Sequence, residues 1–167
     1  GAFGEIISIA CAVGDGEVVA FYSEDWQSET RERDILSQFF NYLNTKYNKN
    51  TDIPPVFIGH NLVSFDIRFI YQRAVVNGIK PFSFFPIHAK AWDKQVYDTM
   101  TEFAGYGNRI SMNDLCLALG LPGKSDEIDC SKVWEFVQQG KIKDVVEYNK
   151  ADVERTRAIY KRMTFKD

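Results

Sequence analysis

Two short stretches, far apart in the chain, hold the side chains with the most chemistry to offer. The first is Asn61-x-x-x-Phe65-Asp66, which follows the apolar run Val56-Phe57-Ile58 and Gly59-His60. A strand that ends in polar side chains and feeds a helix is where open α/β sheets put their binding sites. The second is Tyr148-x-x-x-Asp152, inside the helical pattern that runs to Met163. At the helical repeat, Asp152 shares a face with Val145, Thr156, Ile159 and Met163. A carboxylate on a core-facing stripe is costly unless it is paired, hydrogen-bonded or bound to a metal. Tyr148 lies one turn earlier on the same side, with its hydroxyl within reach of that carboxylate. Each stretch alone also admits a plain structural reading. Asn61 and Ser64 would then only turn and cap a strand-to-helix connection, and Tyr148 and Asp152 would form a pair at the edge of the core.

The elements that must position these groups follow from periodicity and turn residues. Ile6 to Val13 reads as a strand, Gly14-Asp15-Gly16 as a hairpin turn, and Val18 to Tyr22 as the returning strand. Ile35, Leu36, Phe39, Phe40 and Leu43 predict a helix beginning near Ser28, followed by a polar loop over Asn44 to Asp52. Ser64, as N-cap, opens a helix closed by Asn77-Gly78. Gln95 to Asp98 is a short strand ending in a carboxylate. Ser111 and Asp114 form a capping pair for a helix through Leu119, Gly140 stops a helix around Trp134, and the last helix spans about 141 to 163. Between them, Pro81 to Lys94 crowds Phe82, Phe84, Phe85, His88 and Trp92 into a loop. Such aromatics stack bases in some proteins, but they more often form a satellite core. A hairpin followed by alternating strands and helices predicts an α/β domain with a mixed sheet flanked by helices.

Composition narrows the classes. The 167 residues suit one domain, and 45% hydrophobic content excludes a disordered chain. A formal net charge of -3 argues against a protein that coats nucleic acid, though not against an enzyme gripping one strand end. Cys11, Cys116 and Cys130 have no C-x-x-C spacing and read as thiols of a reducing compartment. His60 and His88 are too few for a histidine metal cage. No signal pattern or membrane-length apolar run is present, so a cytoplasmic location is expected.

Taken together, the two stretches resemble the DEDD (DnaQ-like) 3′–5′ exonuclease superfamily. The tyrosine points to its DEDDy branch, and the chain is most similar to exonucleases related to the proofreading domain of family B DNA polymerases. Tyr97-Asp98-Thr99-Met100, Leu119-Gly120-Leu121-Pro122-Gly123-Lys124 and Ser131-Lys132-Val133-Trp134 extend the resemblance over most of the chain. It implies a ribonuclease H-like fold. It also implies two divalent cations, Mg²⁺ or Mn²⁺, that assist hydrolysis at the 3′ end of single-stranded DNA. Asp66 and Asp152 would be metal ligands, Tyr148 would orient the attacking water, and Asn61 and Phe65 would face the terminal nucleotide. Hard cations prefer carboxylate oxygens, and a pair of them stabilises both oxygens of an in-line displacement.

The resemblance also implies an Asp-x-Glu motif on a strand ahead of Ile6, and the residues from Gly1 to Gly4 hold none. Asp15-x-Glu17 sits in the hairpin turn and is rejected. The expectation is therefore a sheet lacking its usual central first strand, weak metal binding and poor cleavage by this chain. Exposed strand edges would favour a strand-exchanged dimer. An RNA-trimming relative and a non-catalytic binding or scaffold module stay open as alternatives, as does a polymerase or replication partner.

Overall fold

The short strand β1, Ser8–Cys11, pairs antiparallel with β2, Val19–Tyr22, in the register Ser8↔Tyr22 and Cys11↔Val19. The computed structural model describes residues 3–47, 53–124, 128 and 131–167. Alternation along this ladder sends Ile9, Cys11 and Phe21 to one side and Ser8, Ala20 and Tyr22 to the other. Helix α1, Arg31–Lys46, covers the first side with Ile35, Leu36, Phe39, Phe40 and Leu43. Helix α6, Ile142–Met163, covers the other through Val145 and Val146, with Val137 of α5 (Val133–Gln138) beside them.

The second ladder is parallel. β3, Phe57–Gly59, runs beside β4, Val96–Asp98, with Gly59 opposite Asp98. Helix α2, Ile67–Val76, forms the crossover, and Gly78 in the left-handed region (φ 64°) ends it as expected. Helices α3 (Thr99–Ala104) and α4 (Met112–Ala118) follow β4, and Ile159 of α6 meets Leu115 and Cys116 of α4 in a small core. The long last helix thus packs against β1, β2 and β3 and ties the two ladders together.

The α/β class holds, and the strands of the expected mixed sheet form two separate two-stranded ladders among the described residues. Among the described residues β1 has a neighbour only in β2, and β3 only in β4. Ladder bonds need a strand about 5 Å away, so each strand keeps one open edge among the described residues. Helix α1 starts at Arg31 rather than near Ser28, because Ser28 Oγ accepts the backbone N–H of Thr30 in a preceding turn. The helix also continues through Asn44–Lys46, where a loop was expected, since polar surface residues do not oppose helix once its buried face is anchored. The remainder of that expected loop, 48–52, lies outside the described residues, as does Cys130.

Candidate active site

The register of the parallel ladder sets the site. Gly59 ends β3 with almost no room beside it: a Cβ there would lie 2.8 Å from Cδ1 of Leu62. Asn61 then adopts a left-handed conformation (φ 59°), and the chain enters a single π-helical turn over Leu62–Asp66 before α2. A non-glycine residue in that region and a π turn are both costly features that cluster at functional sites. Ser64 does not cap. The helix begins before it, and its first donors are satisfied from the neighbouring strand instead. Asp98 accepts the backbone N–H of Asn61 (2.9 Å) and of Val63 (3.3 Å), and it caps α3 through Met100 N–H (3.1 Å). Only 2% of Asp98 is exposed, and these three donors compensate its buried charge.

His60 is tied down as well. Its Nδ1 lies 2.9 Å from the Thr99 hydroxyl and its Nε2 2.8 Å from the Ile110 carbonyl oxygen. Both ring nitrogens are thus engaged in joining β3 to the start of α3 and α4, which is a structural role.

The π turn presents Phe65 and Asp66 differently. The Phe65 ring is 59% exposed and stacks on Phe69, with centroids 6.0 Å apart and planes 4° from parallel. The side-chain oxygen of Asn61 is buried and finds no donor among the described residues. Asp66 is pushed up to about 7, first by burial and then by the negative charges of Asp98 and Asp152, against an opposing backbone hydrogen bond. The charge of Asp152, from a distant part of the chain, is thus the smallest of the influences on Asp66.

Helix α6 supplies the other half. Tyr148 and Asp152 sit one turn apart, and Lys124, from the loop after α4, joins them. Its Nζ donates to the Tyr148 hydroxyl (2.7 Å), lies 5.0 Å from the centre of that ring, and is 3.8 Å from Asp152 Oδ1. Arg155 also donates to Asp152 Oδ1, at 2.5 Å. Asp152 is thus partly buried and paired with two cations, as a carboxylate on this face requires.

The donor set suits an oxygen-seeking cation. Burial, the largest influence on Asp66, opposes the negative charge of its carboxylate. Mg²⁺ is commonly held by one or two carboxylates, with water and phosphate oxygens completing its shell. Asp98 is not a third ligand, because its oxygens are occupied by backbone donors. Among the described residues no cluster of three or more His, Cys, Asp or Glu side chains is arranged to hold an ion.

The structure therefore groups Tyr148 with Asp152 and puts Asn61 and Phe65 on the turn leading to Asp66. Asp98, Lys124 and Arg155 have roles that spacing did not reveal. A carboxylate before Thr99 at a strand-to-helix junction is a capping signal, and it would have identified Asp98. No periodicity links Lys124 to Tyr148, whereas Arg155 stands three residues after Asp152 and is reachable by helical arithmetic. Asp15 is exposed and forms an ion pair with Lys161 at 2.6 Å, in keeping with a solvated turn. No curated protein matches the chain. A family model described as a predicted 3′–5′ exonuclease related to the exonuclease domain of PolB matches residues 2–167, and the chain belongs to that family.

Proposed function

We propose that the domain hydrolyses the terminal phosphodiester at the 3′ end of single-stranded DNA, within a ribonuclease H-like fold of the DEDDy type. The reading is supported by the family match and by the grouping of Tyr148 and Asp152 around Lys124 on α6, with Asp66 on the turn after β3. Divalent cations, when bound, would supply Lewis-acid stabilisation of the charge that builds on the phosphoryl oxygens. Asp66 and Asp152 would hold them. Tyr148 is a poor base at neutral pH, and its hydroxyl would orient the attacking water through its oxygen. Lys124 fixes that hydroxyl. Asn61 and Phe65 would receive the terminal nucleotide, the exposed Phe65 ring offering a face to a base.

The test is digestion of a 5′-labelled oligonucleotide with Mn²⁺, Mg²⁺ or chelator, comparing the parent with Asp152→Ala. A ladder shortening from the 3′ end, lost in chelator and in the variant, is the expected result. Equal digestion by both proteins would remove Asp152 from the mechanism.

A second reading, a binding module without catalysis, draws on the same contacts. Lys124 and Arg155 already neutralise Asp152 without any metal. Oligonucleotide binding with no cation-dependent cleavage at any concentration would favour it.

A further inference from the structure

The aromatic loop after α2 divides in two. Phe82 and Phe85 are buried in the main core, whereas Trp92 is 64% exposed and meets Tyr106, itself 74% exposed, edge to face at 5.1 Å. Large aromatics left this far outside a core, next to one another, are unusual unless they contact something. Between them and the π turn runs a groove of about 290 Å³, lined by Asn61, Ser64, Lys90, Trp92, Tyr106 and Arg109. Its walls are shaped by local bonds. Lys90 N–H donates to Asp93 Oδ2 (2.8 Å) and Asp93 N–H to the Lys90 carbonyl (2.9 Å), which turns the chain around Trp92. Tyr106 stands between Gly105 and Gly107, both at positive φ. Neither Lys90 nor Arg109 has an ion-pair partner among the described residues, in a chain whose net charge is negative. The carboxylate in the floor, Asp98, is taken up by backbone donors.

The geometry points to a nucleotide subsite in this groove, with a base stacked on the Trp92–Tyr106 pair and a phosphate between Lys90 and Arg109. The groove is at the small end of the ~300–1,000 Å³ range of organic-ligand pockets, which suits one nucleotide unit. It opens beside Asn61 and Ser64, on the turn that carries Asp66, so a strand lying in it continues directly to the proposed cleavage centre. The inference rests on the reading of that centre as one acting on single-stranded DNA. Stacking on exposed aromatics is tolerant of sequence, and two cations track the backbone.

The test is binding of a fluorescein-labelled oligothymidylate by anisotropy, in chelator so that nothing is cleaved, across a series of salt concentrations. Trp92→Ala is expected to weaken binding by roughly 5- to 150-fold, and Trp92→Phe to restore most of it. The double variant Lys90→Met/Arg109→Met is expected to flatten the log–log salt dependence by about 0.7 per lost phosphate contact. Parental affinity in Trp92→Ala, an unchanged salt slope in the double variant, or no saturable binding by the parent would each overturn the subsite. Should Trp92→Ala melt early, the salt slope of the double variant decides alone. Binding that depends on Trp92 without any cleavage would sink the catalytic reading and leave the groove standing; cleavage with binding indifferent to Trp92 would do the reverse.

Discussion

The ammonium of Lys124 donates a 2.7 Å hydrogen bond to the hydroxyl of Tyr148 and also lies 3.8 Å from the Asp152 carboxylate. A loop side chain thus helps to hold the phenol of the last helix. Tyr148 is partly buried, and a charge-assisted bond of this kind is typically worth about 1.5–3 kcal/mol. Replacing Lys124 by Met keeps the aliphatic stem and removes the donor. We expect cleavage by Lys124→Met to slow by about tenfold or more, while oligonucleotide binding in chelator changes little. Single-turnover rates at saturating protein measure this directly. Parental rates in Lys124→Met would show that Tyr148 is oriented by something else.

Asp98 is expected to matter through the backbone it holds. In Asp98→Asn the side chain keeps its volume, but one oxygen becomes an NH₂ group facing a backbone donor. A buried donor left unsatisfied costs about 1–3 kcal/mol. Calorimetric melting should therefore report a loss of that size. The π turn should loosen with it, so KM for an oligonucleotide rises. A variant as stable as the parent would mean that water replaces the lost acceptor.

The Glu32–Arg73 pair ties α1 to α2 and is the strongest stability prediction in the chain. Arg73 Nε and one terminal nitrogen donate to the two Glu32 oxygens at 2.6 Å, joined by Asn77 at 3.0 Å and the Ile6 N–H at 2.9 Å. Both side chains are only 8% exposed. Burial pushes the Glu32 carboxyl up, but the Arg73, Asn77 and Ile6 bonds and the Arg73 charge outweigh it, so the net shift is downward. A lowered folded-state value means that this stability is present above the unfolded value near 4.5 and is lost as pH falls through the folded one. Arg73→Met leaves a buried carboxylate uncompensated and should cost about 3–5 kcal/mol. The double variant Glu32→Leu/Arg73→Met should recover much of that loss. If the double variant is no better than the single, the cost comes from packing and not from the charge.

Much of the scaffold is legible in the residues because it depends on local rules. Gly78 and Gly140 at positive φ end α2 and α5 where glycine is needed, and Ser111 caps α4 through the Asp114 N–H at 3.0 Å. The Ser64 cap fails because the helical turn already starts at Leu62, so that the Ile67 N–H a Ser64 cap could serve bonds the Leu62 carbonyl instead; a local pattern does not foresee a π turn. The division of the strands into two ladders is not legible locally either, since pairing depends on which strands are adjacent and not on strand propensity alone. In the site, Asp66, Tyr148 and Asp152 stand out because carboxylates and a phenol at helical or junction positions are chemically conspicuous. Lys124 and the Trp92–Tyr106 pair depend on loop geometry, which spacing does not encode. Nothing in the local sequence marks Glu32 and Arg73 as buried; tertiary packing buries them.

Asp66 provides the test of whether the centre is built for cations. Its carboxyl is pushed up to about 7 by burial and by the neighbouring Asp98 and Asp152 charges, against an ordinary value of 3.8. Between about pH 4 and pH 7 the native protein therefore holds a proton that the unfolded chain has released. Stability falls as pH rises through that window, and above about 7 this contribution stays constant. A three-unit shift corresponds to about 4 kcal/mol at most. Asp66 is partly exposed, and solvent screening brings the expectation down to roughly 1–2 kcal/mol. In chelator, Asp66→Asn should lack this decline and melt above the parent at pH 8. Adding Mn²⁺ at pH 8 should then raise the parental midpoint and leave Asp66→Asn nearly unmoved, because a cation stabilises only the carboxylate that burial opposes. The same linkage makes cation affinity fall as pH drops below about 7, where a proton competes for the oxygens. Parallel melting curves for the two proteins from pH 4 to pH 8, with no response to Mn²⁺ in either, would mean that Asp66 neither bears this strain nor ligates a metal.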